Sequence, residues 1–183
     1  MRIISGTKKG LQLTPLGAGD ANAHLRPTSD RVRESIFNIL ENGRHKITFS
    51  TARVLDLFAG TGVTGLEAAS RGAPDVAFID NGSTALSLIG HNIALTGFPA
   101  KLYNADATKL PANPGAPYDL IFVDPPYNKQ LGHAALIGLT QGWTKPGTIL
   151  IWEEGAEFFP PEGYALLEVK RFGDTFIHFL QVS

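Results

Sequence analysis

Cysteine is absent from the 183-residue sequence. Its absence excludes disulfide bonds, thiolate zinc sites and cysteine nucleophiles. The histidines are few and scattered and show no metal-ligand spacing, so we expect no bound metal. They are His24, His45, His91, His133 and His178.

Long apolar runs are also absent. No stretch reaches the ~18 residues that a membrane span needs, and the N-terminus has none of the features of a signal peptide. We therefore expect a soluble, cytoplasmic protein that has no membrane contact. Its length fits one domain, and a hydrophobic content of 43% is enough for an ordinary core. We expect a monomer in which residues 1–50 extend a body formed by residues 51–183.

The sequence has little net charge, −1 in total, but its charges are unevenly placed. Residues 1–50 hold eight Lys or Arg and four Asp or Glu, whereas the other 133 residues hold eight and thirteen. A basic end on an acidic body predicts that the N-terminal segment meets an anionic partner. Ordinary solvated surface charge is the alternative interpretation.

Two short strand-like runs, residues 2–5 and 10–13, open the chain and predict a β-hairpin. Lys8 and Lys9 lie at its tip, where we expect them to bind the anionic partner. Residues 15–23 follow, rich in Gly, Ala, Asp and Asn and without periodicity. Such a composition is typical of a mobile loop.

A helix is predicted to run to about Asn42 from Thr28 or Ser29, either of which can cap it. Arg31 and Arg33 fall outside its apolar stripe, so we expect both to face solvent or a ligand. The stripe consists of Val32, Ile36, Ile39 and Leu40, with Phe37 alongside.

The next segment, residues 54–58, is a short apolar run that predicts a buried parallel strand. Gly60, Gly62 and Gly65 follow it with the Gly-x-Gly-x-x-Gly spacing of a dinucleotide site, at the start of a predicted helix. Asp56 argues against a dinucleotide, because a carboxylate at the end of this strand would repel a pyrophosphate. It suits a ligand with an ammonium group and no phosphate. The pattern Asp-x-x-x-Gly-x-Gly therefore favours S-adenosylmethionine over NAD.

Strands and helices alternate after this turn, which is typical of a parallel α/β sheet. Two long strands close the chain as a hairpin, unlike the fold of classical NAD enzymes. The pattern predicts a Rossmann-like, class I methyltransferase fold with a seven-stranded, mostly parallel sheet whose last strand is antiparallel. The further strands are predicted at residues 76–80, 101–105, 119–123, 147–152, 164–171 and 174–182, and the further helices at 83–96 and 130–141.

Aspartates end the first four predicted strands, and ligands of open α/β sheets bind beyond the carboxyl ends of the strands. Asp80 follows Gly62 by 18 residues, the spacing of an acid that binds ribose hydroxyls. A strand-end cap is the alternative for Asp80. Asp106 could accept a hydrogen bond from the adenine amine, and Ala107 could donate one to the ring. Aspartate at a strand end is, however, also ordinary turn chemistry.

The fourth predicted strand leads into Asp124-Pro125-Pro126-Tyr127. Two prolines remove two backbone donors and stiffen the chain. The Asp124 carboxylate and the Pro125 carbonyl can accept both hydrogens of a planar NH₂ group and aim its lone pair at a methyl donor. Tyr127 offers a face on which a base can stack. This tetrapeptide alone often forms only a turn. In a chain that also has the glycine turn described above, it predicts methylation of an amine.

The sequence resembles the RsmD-type family of bacterial 16S ribosomal RNA guanine-N2 methyltransferases. The matching stretches are residues 2–6, 10–11, 26–34, 56–62, 65–68, 70–73 and 124–127, so the resemblance spans nearly the whole chain. It implies transfer of a methyl group from S-adenosyl-L-methionine to the N2 amine of a guanine in 16S RNA or the small ribosomal subunit. The implied catalytic residues are Asp124, Pro125, Pro126 and Tyr127.

The same resemblance implies a cofactor site and an RNA-binding surface. The cofactor-binding residues would be Asp56, Phe58, Ala59, Gly60, Thr61, Gly62, Asp80, Asn81, Asp106 and Ala107. The RNA-binding residues would be Lys8, Lys9, Arg26, Arg31 and Arg33, with a solvated helix face as the alternative for the arginines. Three rival functions stay open: methylation of another base, DNA or a protein amide; NAD-dependent oxidation; and RNA binding without catalysis.

Overall fold

The computed structural model describes residues 1–15, 29–126, 131–156 and 159–183. Within these ranges, no helix has the length and apolarity needed to cross a membrane. The helices are α1 (Asp30–Asn42), α2 (Val63–Ser70), α3 (Ser83–Thr96) and α4 (Leu131–Leu139). The strands are β1 (Arg53–Leu57), β2 (Asp75–Asp80), β3 (Ala100–Asn104), β4 (Leu120–Val123), β5 (Ile149–Glu154), β6 (Tyr164–Phe172) and β7 (Thr175–Val182).

The seven strands form one sheet in the order β3-β2-β1-β4-β5-β7-β6. Strands β1 to β5 are parallel, and β7 runs antiparallel between β5 and β6. This topology confirms the predicted seven-stranded methyltransferase sheet. The observed strand ends differ from the predicted ones by one or two residues, as expected where strands fray.

The order of the strands reverses between β1 and β4. The chain builds β1, β2 and β3 outward in one direction, then returns to place β4 on the other side of β1. Leu57 at the end of β1 pairs in register with Val123 at the end of β4. The residues that follow, Phe58 and Asp124, therefore leave the sheet side by side. Ligands of open α/β sheets bind at such a switch point.

Strand β1 divides its side chains between two cores. Val54 packs in the cluster that contains residues of α1, α2 and α3, whereas Leu55 and Leu57 pack in the cluster that contains residues of α4. Side chains alternate between the two faces of a strand. Asp56 therefore faces the same side as Val54, toward α2.

Helix α1 begins where the sequence predicts, because the Ser29 hydroxyl accepts a hydrogen bond from the Val32 N–H at 3.3 Å. The prediction that Arg33 faces solvent or a ligand is wrong. Arg33 is 1% exposed, and its guanidinium donates to the Arg2 carbonyl at 2.6 Å and to the Asp30 carboxylate at 2.9 Å. These two partners allow a cation to occupy the inner face, which hydropathy alone cannot anticipate. That buried face consists of Arg33, Ile36, Phe37 and Leu40.

The N-terminal residues form the predicted antiparallel hairpin, although its pairing is short. A single β-bridge joins Arg2 to Gln12, and a 3₁₀ turn at Gly6–Lys8 forms the tip. The Ile3 N–H donates to the Leu11 carbonyl at 3.0 Å. The predicted mobile loop after the hairpin lies almost wholly outside the described residues.

Polar side chains of α2 hold the hairpin in place. The Glu67 carboxylate accepts hydrogen bonds from the N–H groups of Ile4 at 2.7 Å and Ser5 at 3.0 Å. The Ser70 hydroxyl accepts a hydrogen bond from the Lys8 N–H at 3.0 Å and donates one to the Ser5 carbonyl at 2.6 Å. The hairpin therefore lies along α2, with its tip at the C-terminal end of that helix.

Candidate active site

The turn after β4 begins at the switch point of the sheet. The Asp124 N–H donates to the Leu57 carbonyl at the end of β1, with an N···O distance of 3.5 Å. Pro125 is buried and Pro126 half-buried, and their rings restrict the backbone at this position. Tyr127 lies outside the described residues, so its stacking role stays a prediction.

The turn after β1 folds back on itself beside this position. The Ala59 N–H donates to the Ile79 carbonyl on β2 at 3.1 Å, and the Gly62 N–H donates to the Ala59 carbonyl at 2.7 Å. Gly60 and Gly62 have φ values of +58° and +76°, which glycine adopts without steric cost. Phe58 also has a left-handed φ of +60°, which costs other residues about 1–2 kcal/mol. Such strain concentrates at functional sites.

Asp56 lies beneath this turn and holds the first turn of α2. Its side chain is 3% exposed and accepts a hydrogen bond from the Gly65 N–H at 2.8 Å. Burial raises the pKa of Asp56 to about 7; the Gly65 hydrogen bond opposes this rise, and the negative charge of Asp80 adds to it. The predicted contact between Asp56 and the ammonium group of a ligand stays a prediction.

Asp80 binds the same turn from the neighbouring strand. One carboxylate oxygen accepts a hydrogen bond from the Gly60 N–H at 2.9 Å, and the other accepts one from the Gly82 N–H at 2.8 Å. Asp80 therefore caps its strand end and joins the glycine turn to the start of α3. Each oxygen has a second lone pair, so the predicted contact with ribose hydroxyls is compatible with this cap. Asn81, the adjacent predicted site residue, is exposed.

Asp106 begins a 3₁₀ turn at Ala107–Lys109. Its carboxylate accepts hydrogen bonds from the Thr108 hydroxyl at 2.7 Å and from the Thr108 N–H at 2.9 Å. Both bonds lower the pKa of Asp106, and the bond from the Thr108 hydroxyl has the larger effect. The turn chemistry that the sequence left as an alternative therefore explains the conformation of Asp106. The adenine contacts of Asp106 and of the buried Ala107 stay predictions.

Asn92 on α3, a residue to which the sequence pattern assigned no role, joins the hairpin to the glycine turn. Its fully buried amide donates to the Thr61 carbonyl at 3.0 Å and to the Thr14 carbonyl at 3.3 Å, and accepts from the Thr14 N–H at 2.9 Å. The Thr61 hydroxyl also donates to the Met1 sulfur at 3.3 Å. The only sequence signal for this contact is an amide between Ile89 and Ile93 on the apolar face of α3.

Glu67 is another buried polar residue that the sequence pattern left without a role. It is fully buried on α2, where it accepts the two N–H groups of the hairpin and pairs with Arg71 at 2.8 Å. Arg71 also pairs with Glu41 of α1 at 2.7 Å and stacks over the Phe37 ring. The sequence signal that could have indicated this role is a single carboxylate in an otherwise apolar, alanine-rich helix.

The fold separates the lysines that were predicted to bind RNA from the glycine turn. Lys8 and Lys9 are exposed at the hairpin tip, beside Ser70, the last residue of α2. The glycine turn lies at the first residue of this 8-residue helix. At ~1.5 Å per residue, the tip lies about 12 Å away along the helix. The two lysines therefore do not line the candidate active site.

Arg31 lies nearer the site edge of the sheet. It is exposed in the first turn of α1, the turn whose Asp30 forms an ion pair with Arg2 at 3.6 Å. The other end of α1 contacts the C-terminal end of α2 through Glu41 and Arg71. Arg26, the remaining predicted RNA-binding residue, lies outside the described residues.

The structure thus brings together the turn of residues 58–62, its two flanking carboxylates and the start of the Asp124-Pro125-Pro126 turn. In the described part of the chain, no group of three or more His, Asp or Glu side chains is placed to hold a metal. The site instead offers carboxylates, backbone groups and a switch point, an arrangement that can accept hydrogen bonds and attract cations.

Comparisons with known proteins agree with this architecture. A family model described as "Conserved hypothetical protein 95" matches residues 1–181. The chain is 32% identical to ribosomal RNA small subunit methyltransferase D of Haemophilus influenzae over 182 residues, which covers 94% of this chain and 89% of the relative. It is 34% identical to ribosomal RNA small subunit methyltransferase D of Escherichia coli K12 over 160 residues, or 86% of this chain and 76% of the relative.

A solved structure shows the same fold. That of yhhF from Escherichia coli, described as a candidate methyltransferase, superposes with a TM-score of 0.83 at 32% identity and covers 100% of this chain and 97% of that one. These findings confirm the resemblance carried by the glycine turn and by Asp124-Pro125-Pro126-Tyr127. The chain is an enzyme of the methyltransferase class, and it belongs to the family of ribosomal RNA small subunit methyltransferase D.

Proposed function

We propose that this protein transfers a methyl group from S-adenosyl-L-methionine to the N2 amine of a guanine in 16S ribosomal RNA. The observation that carries the proposal is the contact between Asp124 and Leu57, 3.5 Å from N to O. It places the Asp124-Pro125-Pro126 turn at the switch point, directly beside the glycine turn. A cofactor at one turn and an amine at the other would therefore meet. The choice of guanine, of its N2 amine and of 16S RNA rests on the family.

The carboxylates around the glycine turn fit S-adenosylmethionine better than a dinucleotide. Asp56 and Asp80 already accept hydrogen bonds from the N–H groups of Gly65 and Gly60. A pyrophosphate would need N–H groups of this kind and would be repelled by both acids. A sulfonium and an ammonium group would instead be attracted. The donor and acceptor chemistry of this turn thus favours the cationic cofactor.

The remaining cofactor contacts fall to residues at the ends of β2 and β3. Asp80 would hold the ribose hydroxyls, and Asp106 with the Ala107 N–H would hold the adenine. Asn81, exposed beside Asp80, would cover the ribose from solvent. When bound, S-adenosylmethionine supplies an electrophilic methyl group, and the protein has to orient the amine that accepts it.

The Asp124-Pro125-Pro126 turn would orient that amine. The Asp124 carboxylate and the Pro125 carbonyl would accept the two hydrogens of N2, which turns the nitrogen lone pair out of conjugation with the base. The Asp124 carboxylate can then hold the proton that N2 loses as it gains the methyl group. Tyr127 would stack on the base, worth about 1–3 kcal/mol. Catalysis of this kind depends mainly on proximity and orientation.

Basic residues of the N-terminal segment would bind the RNA backbone. Arg31 would lie nearer the site, and Lys8 and Lys9 would reach more distant phosphates from the hairpin tip; we expect Arg26 to bind the RNA as well. One basic end on an acidic body gives limited attraction to bare RNA. We therefore infer a cytoplasmic substrate that ribosomal proteins have already partly organised. Equal methylation of naked 16S RNA and small subunits would contradict that inference.

Binding calorimetry with S-adenosylmethionine and with NAD tests the cofactor. We expect binding of S-adenosylmethionine alone, and binding of NAD alone would contradict the proposal. Transfer of labelled methyl groups to unmodified small subunits then tests the acceptor. Label in another base, in DNA or in a protein amide would contradict guanine N2 while leaving the cofactor assignment standing.

A further inference from the structure

Asn92 is a fully buried polar side chain outside the predicted site, in the apolar face of α3. An amide there is costly to bury unless it is satisfied. Asn92 has two N–H donors, and they bind the carbonyls of Thr61 and Thr14; its oxygen accepts the Thr14 N–H. A carboxylate lacks these donors, and an aliphatic side chain lacks all three bonds. The site therefore requires an amide of this length.

The bond to Thr61 fixes one peptide plane of the glycine turn. The carbonyl of that plane belongs to Thr61 and is held by Asn92 at 3.0 Å. The N–H of the same plane belongs to Gly62 and donates to the Ala59 carbonyl at 2.7 Å. Gly62, which borders this plane on one side, has no side chain to restrict the rotation. Asn92 and Ala59 thus hold the plane from opposite ends.

The bonds to Thr14 attach the base of the hairpin to the same amide. Leu13, the preceding residue, donates to the Met1 carbonyl at 3.2 Å, and the Met1 sulfur accepts from the Thr61 hydroxyl at 3.3 Å. Both ends of the hairpin therefore meet the glycine turn. Because Glu67 also binds the hairpin through Ile4 and Ser5, hairpin docking does not depend on Asn92 alone.

We propose that Asn92 is a positioning residue that couples the base of the N-terminal hairpin to the conformation of the cofactor turn. This inference rests on the proposed function, because it assigns the glycine turn to S-adenosylmethionine. Asn92 itself does not touch the cofactor. Binding that orders the turn also strengthens the three hydrogen bonds of Asn92, so the cofactor should protect the Thr14 amide. Loss of the amide should loosen the turn and weaken cofactor affinity without changing the chemistry at Asp124.

Substitution of Asn92 by leucine, which keeps its volume, or by alanine tests the coupling. We expect the Kd and KM for S-adenosylmethionine to rise about tenfold, the size expected from losing one or two buried hydrogen bonds. The kcat at saturating cofactor should stay within about twofold. Thr96→Val is the matched control, because Thr96 is buried on the same helix and, among the described residues, its hydroxyl bonds only to the Ile93 carbonyl. It should lower Tm and leave Kd and KM unchanged.

Amide hydrogen exchange at Thr14 supplies an independent measurement. In the unchanged protein, saturating S-adenosylmethionine should slow this exchange several-fold. In Asn92→Leu and Asn92→Ala it should have no effect. Unchanged affinity and unchanged Thr14 protection in folded Asn92 variants would overturn the inference alone. If the unchanged protein failed to bind S-adenosylmethionine, the proposed function and this inference would both fall.

Discussion

Asp80 holds the glycine turn, Asp56 holds the first turn of the helix α2 that follows it, and the charge of Asp80 acts on Asp56. Asp80 accepts the Gly60 N–H at 2.9 Å, and Asp56 accepts the Gly65 N–H at 2.8 Å. Burial, with the negative charge of Asp80, raises the pKa of Asp56 to about 7. Asp56 is therefore about half-protonated near neutral pH. A cationic cofactor bound nearby should favour its ionised form.

The affinity for S-adenosylmethionine should rise several-fold between pH 6 and pH 8. Asp56 titrates near pH 7, and only its ionised form attracts a cation. Binding below pH 7 should therefore release a proton. Calorimetry at pH 6, 7 and 8, in buffers of different ionisation enthalpy, measures both the affinity and the proton release.

Two variants separate this titration from other effects of pH. Asp56→Asn keeps an acceptor for the Gly65 N–H but cannot ionise, so its affinity should be nearly independent of pH. Asp80→Asn removes a charge that raises the pKa of Asp56. The midpoint of the pH dependence of cofactor affinity should therefore move to lower pH. The same pH slope in Asp56→Asn and in the unchanged protein would show that another group titrates.

Ionisation of Asp56 should lower the free energy of unfolding as the pH rises, whereas it should raise the affinity for the cofactor. The pKa of Asp56 rises from 3.8 to about 7 on folding, so the folded chain keeps a proton that the unfolded chain loses. The contribution of Asp56 to the free energy of unfolding is therefore largest below about pH 4 and falls as the pH rises to about 7. Urea unfolding of the unchanged protein and Asp56→Asn across this range measures the difference. The stability of the unchanged protein should fall relative to that of Asp56→Asn as the pH rises from about 4 to about 7, and a rise relative to Asp56→Asn would contradict the assignment.

Gly65→Ala should lower the free energy of unfolding by about 1–3 kcal/mol. A Cβ at Gly65 would overlap the buried Phe78 ring on β2, so α2 would have to move away from the sheet. Urea unfolding measures the loss. Gly90→Ala on α3 is the control, because a Cβ there meets no atom within 4 Å. It should stabilise the protein by about 0.5–1 kcal/mol, and equal losses in both variants would refute the packing argument.

Glu67→Gln should lower the free energy of unfolding by about 2–3 kcal/mol. The substitution keeps the size of the side chain, but it removes an acceptor from the hairpin and the charge that faces the buried Arg71. Arg71 keeps its pair with Glu41, which limits the loss. Glu41→Gln, at a half-exposed partner, should cost less than about 1 kcal/mol. A smaller loss for Glu67→Gln than for Glu41→Gln would contradict this ranking.

The sequence predicts the sheet and the glycine turn well because both depend on local pattern. Apolar runs of four to six residues mark buried strands, and glycines mark the positive φ of Gly60 and Gly62. The carboxyl ends of parallel strands lie at one edge of the sheet, where ligands of open α/β sheets bind. This is why the neighbourhood of Asp56 and Asp124 can be anticipated without a structure.

The contacts of the N-terminal segment cannot be anticipated in this way, because their partners are distant in sequence. Glu67 binds Ile4 across 63 residues, and Asn92 binds Thr14 across 78. The same limitation explains the error at Arg33, whose partners Arg2 and Asp30 make an inward-facing cation acceptable. The position of the hairpin tip at the C-terminal end of α2 likewise depends on tertiary contacts, so the sequence could not predict it.

The most direct test of the proposed activity is labelled methyl transfer from S-adenosylmethionine to 16S RNA and small subunits from a strain that lacks this gene, followed by nucleoside analysis. Asp124→Asn and Asp124→Ala are compared with the unchanged protein after calorimetry shows that each still binds the cofactor. We expect label in N2-methylguanosine, reduced at least a hundredfold in both variants. Label in any other nucleoside, or full activity in Asp124→Ala, would contradict it.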